Sequence, residues 1–216
     1  SKQATSRKKQ LEKITLDDIK PSSRKYPFVK FESQRDLGND LLRVENVSKT
    51  IDGVKILDNI NFTIRPGEKA AILSRSDLAQ TTMMQILAGT LKPDTGTVKY
   101  GQTVITSSLP RDLDANFNNE ELSILDWLRQ YATKEQNDNT FLRGFLGKML
   151  FSGDDIQKQI KVLSGGEKVR CMLSKMMLEQ GNTLLLDDPT NHLDLESITS
   201  LNDALVSFNG SVIFTS

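Results

Sequence analysis

Thr183-Leu184-Leu185-Leu186 is a continuous apolar run that ends on two carboxylates, Asp187 and Asp188, and is closed by Pro189. A stretch of helical character at 195–208 and a second apolar run at 211–215 follow it. Strand, helix and strand at that spacing imply a parallel pair, because parallel strands need a crossover long enough to hold a helix. In sheets of that kind, ligands bind at the carboxyl ends of the strands. Asp187 and Asp188 therefore stand where a ligand would be met, although an acidic turn after a strand is an ordinary use of the same residues.

The rest of the chain has the same α/β character. Short β-type runs occupy 41–44, 55–57 and 60–64, then 70–73 after the turn Arg65-Pro66-Gly67-Glu68. Residues 78–88 carry apolar side chains at helical spacing and stop at Gly89, as a helix with a C-terminal glycine does. The turn at 92–96 leads into a strand at 97–100, and 102–109 reads as another extended run. From 119 to 180 the periodicity becomes helical, with amphipathic segments at 122–131 and 140–150. Residues 1–14 read as a polar helix, and 24–39 as irregular or extended, so a domain boundary falls near residue 40.

Charge is informative only locally. The 28 Lys and Arg balance the 28 Asp and Glu, which removes any global argument for a nucleic-acid or membrane-surface partner. The first 30 residues nevertheless hold nine bases against three acids, leaving the remainder net acidic. Cys171 is the single cysteine, so an internal disulfide is excluded and a reducing, cytoplasmic setting fits. The apolar runs fall far short of the ~20 residues that span a bilayer.

In Leu163-Ser164-Gly165-Gly166-Glu167, Ser164 and Glu167 have the spacing of a capping box ahead of the apolar helical positions Val169, Met172, Leu173, Met176 and Met177. The two glycines point further, because exposed amides at a helix start make an anion site that a side chain would obstruct.

This sequence, joined to Asp187-Asp188-Pro189-Thr190-Asn191-His192-Leu193-Asp194, resembles the signature motif, Walker B strand and D-loop of ATP-binding cassettes. The Asn191-His192-Leu193-Asp194 segment further resembles the ABC-F family, and residues 141–177 its YbiT-like branch. The resemblance implies a P-loop NTPase fold: a mostly parallel RecA-like core sheet, an antiparallel β subdomain and a helical signature subdomain. It implies that residues 1–39 are the end of a basic inter-domain linker and 40–216 a nucleotide-binding domain, the second cassette of a tandem pair. The core would be 40–108 and 182–216, with a helical insert at 109–181 and a truncated C-terminus, since the family's switch histidine would follow Ser216.

It also implies ATP and Mg²⁺. Nucleotide would lie on the loop Ser74-Arg75-Ser76-Asp77-Leu78-Ala79-Gln80-Thr81 and Thr82, with Ile51 against the base and Arg111 at the position of the family's Q-loop glutamine. Thr81 and Asp187 would hold Mg²⁺, and Asp188 would be the catalytic carboxylate acting on the attacking water. Ser164, Gly165, Gly166 and Glu167 would face the γ-phosphate held by a second cassette.

The chain departs from the family pattern where phosphate should be gripped. The loop has neither glycine nor the lysine of Gly-x-x-x-x-Gly-Lys-Ser/Thr. Gln80 offers N–H donors without charge, and a charge-assisted hydrogen bond is worth about 1.5–3 kcal/mol against about 1 for a neutral one. Asp188 is a methylene shorter than the family's glutamate, and a misplacement of about 1 Å can cost roughly 10²-fold in rate. Ile51 replaces the stacking aromatic.

Three functions follow from these residues. One is a cytoplasmic ABC-F ATPase acting on the ribosome or its RNA, with little hydrolysis expected from this chain alone. Another is the ATPase subunit of a membrane transporter. The third is a degenerate, non-hydrolytic cassette used as a binding module.

Overall fold

The computed structural model describes residues 25–216. The polar helix read at 1–14 lies outside the described residues. Two sheets and a helical region make up the remainder.

The first sheet is antiparallel. Strand β1 (Leu42–Ile51) pairs on one side with β2 (Val54–Ile64) and on the other with β4 (Thr95–Tyr100). Asp52 and Gly53, both at positive φ, form the two-residue connection between the Ile51 and Val54 partners, the backbone that such hairpins require. The two short runs read at 55–57 and 60–64 are one strand. Asn59 adopts φ 50° between them, and the β1 register shifts there, so polar Asp58 and Asn59 are carried as an irregularity rather than a break.

The second sheet is parallel, in the order β3 (Lys69–Ile72), β7 (Ser211–Thr215), β6 (Thr183–Leu186), β5 (Thr106–Leu109). The expected run at 102–109 is a strand only from Thr106, where pairing with Thr183 begins. Helix α1 (Asp77–Leu87) follows β3, and Gly89, at φ 76°, lies just beyond its end.

Side-chain alternation along the parallel strands divides the interior in two. Leu185 and Ile213 join Met83, Met84, Ile86 and Leu87 of α1 and the inner residues Leu42, Val44 and Leu57 of the antiparallel sheet. Leu184, Leu186 and Val212 face the other way, into a core shared with the helical region. That region contains α2 (Ile124–Arg129), α3 (Asn139–Lys148) and the long α4 (Gly165–Glu179), with Trp127, Leu142, Leu146, Met172 and Leu173 fully buried. Helix α5 (Leu195–Ser207) crosses between β6 and β7.

Residues 25–40 carry no helix or strand but lie against the domain. Phe28 N donates to Lys148 O (2.7 Å), Gln34 N to Gln180 O (2.9 Å), and Phe31 is buried edge-on to Phe208. Among the described residues, no helix is long and apolar enough to cross a membrane.

Candidate functional site

Three segments meet at the carboxyl end of the parallel sheet: the loop from β3 into α1, the exit of β5 at Pro110-Arg111, and the exit of β6 at Asp187-Asp188. Beside them, α1 from Thr81 on, the exit of β5 and Asp187 line a cavity of about 250 Å³ that also takes in Ser108, Arg111, Asp112 and Lys175; of the residues 74–82 only Thr81 reaches it.

The β3–α1 loop is tight. Ser76 is the N-cap of α1, its Oγ accepting from Ala79 N (3.2 Å), while its carbonyl accepts from Gln80 N (3.2 Å). The helix therefore starts at Asp77, with an acid in its first turn, and the Ala79 and Gln80 amides are bonded within the chain. Ser74, Arg75 and Leu78 are exposed. Thr82 is buried with its hydroxyl unbonded.

Gln80 is buried, 2 % exposed. Its Nε2 donates to Ser74 O (3.4 Å) and Ser216 O (3.3 Å), and its Oε1 accepts from Arg111 Nη2 (3.3 Å), all long contacts. Arg111 also reaches two acids: Nη2 is 3.3 Å from Asp187 Oδ1, and Nη1 is 3.5 Å from Asp77 Oδ2. Its Nε is buried without a hydrogen-bond partner, as is Thr81 Oγ1.

Asp187 is buried at 3 % exposure. Its Oδ1 accepts from Thr215 Oγ1 (2.6 Å), and its amide donates to Leu109 O (2.9 Å). Asp188 turns the chain out of the sheet at φ 50°, its amide donating to the same Thr215 Oγ1 (2.9 Å). Thr215 thus ties both carboxylate residues to β7. Sequence reading missed it, yet the parallel pairing of Leu186 with Phe214 puts the next residue of β7 beside Asp187, so known strand order would have revealed it.

At the start of α4 the capping box forms. Ser164 Oγ accepts from Glu167 N (3.3 Å) and Glu167 Oε2 accepts from Ser164 N (2.9 Å). Partial burial would raise the Glu167 pKa, but the Ser164 hydrogen bonds and nearby Lys158 outweigh it and hold the carboxyl below its ordinary value. The glycines have a reason beyond anion access. A Cβ on Gly165 would lie 3.0 Å from the His192 ring, and one on Gly166 would lie 2.8 Å from His192 O. Gly165 and Gly166 therefore admit the 188–194 loop against the helix start.

The structure brings together Gln80, Thr81, Arg111 and Asp187, with Asp188 beside them. Ile51 lies apart from the cavity lining, at the β1–β2 hairpin. Among the described residues there is no cluster of three His, Cys, Asp or Glu for a metal. The unbonded Thr81 hydroxyl and the Asp187 carboxylate, which line the same cavity, do fit Mg²⁺, which takes one or two protein oxygens together with phosphate and water.

A parallel sheet with acids at its carboxyl edge, an antiparallel sheet over α1 and a helical lobe that starts α4 define an ATP-binding cassette. Residues 57–191 match the ABC transporter family model, and the chain belongs to that family. It is 58 % identical over its full length to the ABC transporter ATP-binding protein YkpA of Bacillus subtilis, and 42 % identical to the probable ATP-binding protein YbiT of Escherichia coli O157:H7. Both bear out the resemblance to the YbiT-like ABC-F branch. The chain spans 40 % of the length of each.

Among solved structures, the ATP-binding cassette MJ0796, described as a dimer in a post-hydrolysis state bound to ADP and Pi, aligns with a TM-score of 0.65 at 18 % identity, covering 82 % of this chain and 88 % of that one. CbiO1 of Clostridium perfringens, part of the ABC transporter complex cbiONQ, aligns at 0.59 and 21 % identity, covering 83 % and 79 %. At these identities the likeness is one of fold.

Proposed function

We propose that this chain is the second cassette of a cytoplasmic ABC-F protein, with residues 1–39 as the end of its linker, and that it binds ATP in the cavity between α1 and the exits of β5 and β6. The observation that carries this reading is the meeting of the unbonded Thr81 hydroxyl, Asp187 and Arg111 at the carboxyl edge of the parallel sheet.

Thr81 and Asp187 would hold Mg²⁺, which when bound neutralises phosphate charge. Thr215 fixes the Asp187 carboxylate in place. Asp188, turned out of the sheet, orients the water that attacks the terminal phosphate. Ser164, Gly165, Gly166 and Glu167 form the other half of a site completed by a second cassette, so one chain holds two half-sites. Closing the pair on ATP and releasing it after hydrolysis turns chemistry into motion, which the intact protein applies to the ribosome. The basic N-terminal composition suits phosphate contact.

Titration with Mg·ATP, followed by heat, tests the site: saturable binding is expected, and no binding removes the reading. ATP turnover should be low in this chain and rise when a second cassette is supplied. Co-sedimentation of the intact protein with ribosomes in ATP tests the target, and its absence there overturns the ribosomal part.

One observation favours a non-hydrolytic variant of the same reading. The Ala79 and Gln80 amides and the Gln80 side chain are already engaged inside the chain, leaving fewer donors for phosphate. ATP binding without turnover in the reconstituted pair would select it.

A further inference from the structure

The geometry points to Arg111 as the cation that grips the terminal phosphates of a nucleoside triphosphate, reaching them from the exit of β5 in place of the lysine that the β3–α1 loop lacks. This inference rests on the ATP-site reading above.

A triphosphate needs a cation where its charge is concentrated, and the β3–α1 loop has no lysine at the position where the family has one. Gln80 is neutral and its amide side chain is spent on Ser74, Ser216 and Arg111. Arg75 is exposed. Lys175 lines the same cavity, but its Nζ is paired with Glu179 at 2.7 Å and lies over the Tyr131 ring at 4.9 Å. Arg111 is the cation whose head group touches Gln80, the residue standing at the lysine position.

Arg111 is also poorly satisfied as it stands. Its contacts to Asp187 and Asp77 are 3.3 and 3.5 Å, against about 2.7–2.9 Å for a well-formed charge-assisted bond, and its Nε has no partner. A guanidinium presents paired donors that match two phosphate oxygens. Phosphate would therefore improve the bonding of Arg111 and free Asp187 Oδ1 from it. The exchange makes anion and cation binding cooperative: Arg111 guards the Asp187 charge until phosphate draws it away.

The test is titration of a fluorescent methylanthraniloyl-ATP with Mg²⁺, with inorganic tripolyphosphate as competitor and adenosine as the uncharged control. Arg111→Ala should weaken triphosphate binding roughly 10–100-fold, the loss of a charge-assisted pair, and weaken tripolyphosphate competition in parallel, leaving adenosine unchanged. Arg111→Lys should retain part of the affinity. Adding Gln80→Lys to Arg111→Ala should recover triphosphate binding, which a merely structural arginine would not allow.

Equal or tighter binding by Arg111→Ala overturns this inference and leaves the ATP-site reading standing. No binding by the unsubstituted protein overturns both. A loss that Arg111→Lys shares in full and Gln80→Lys does not recover, with a lowered unfolding temperature, makes Arg111 a structural partner of Asp187 and also overturns it.

Discussion

Thr215 shows how much one hydroxyl can organise. It donates to Asp187, accepts from the Asp188 amide and is fully buried, so Thr215→Val keeps the shape and leaves both groups short of a partner. The expected loss is about 1–3 kcal/mol by chemical denaturation, together with weaker Mg·ATP binding. Gly166→Ala should act differently. Its Cβ would meet His192 O at 2.8 Å, so the 188–194 loop must shift, and turnover by the paired cassettes should fall while Mg·ATP binding by this chain is kept. Sequence alone suggests anion access for these glycines. Their packing against His192 depends on how a loop folds back across a helix start, which no local pattern encodes.

The start of α4 is the most legible in the sequence, because a capping box is decided by residues three apart. Ser164 and Glu167 form the box their spacing announces, and Ser164→Ala should cost about 0.5–2 kcal/mol of stability. The Glu167 carboxyl sits below its ordinary pKa of 4.5, so its stabilising effect is fully present above that value and is lost as pH falls through the lowered one. Acid titration of unfolding should therefore show a contribution that Glu167→Gln removes. Strand limits were harder to read. The break expected within 55–64 is an irregularity inside β2, since pairing with β1 on one flank holds Asp58 and Asn59 in the strand. The start of β5 at Thr106 is likewise set by its partner in β6 rather than by its own residues.

At the scale of the whole molecule, the parallel sheet separates two cores, and Leu185 with Ile213 belongs to the one beneath α1 and the antiparallel sheet. Leu185→Ala should cost about 2–5 kcal/mol in denaturant unfolding, and because Asp187 directly follows the end of the same strand, ATP binding should weaken with it. The sequence by itself determined the parallel α/β class, the family, the capping box of α4, the glycine that ends α1 and the two acids at the end of β6, since each is written in periodicity or in residues close along the chain. Only the tertiary structure decided that Thr215 clamps those acids, that Gln80 and Arg111 meet at the lysine position, and that His192 fills the space left by two glycines. Those contacts join residues from different strands and loops, and their distances follow from sheet order and packing, to which local pattern is blind.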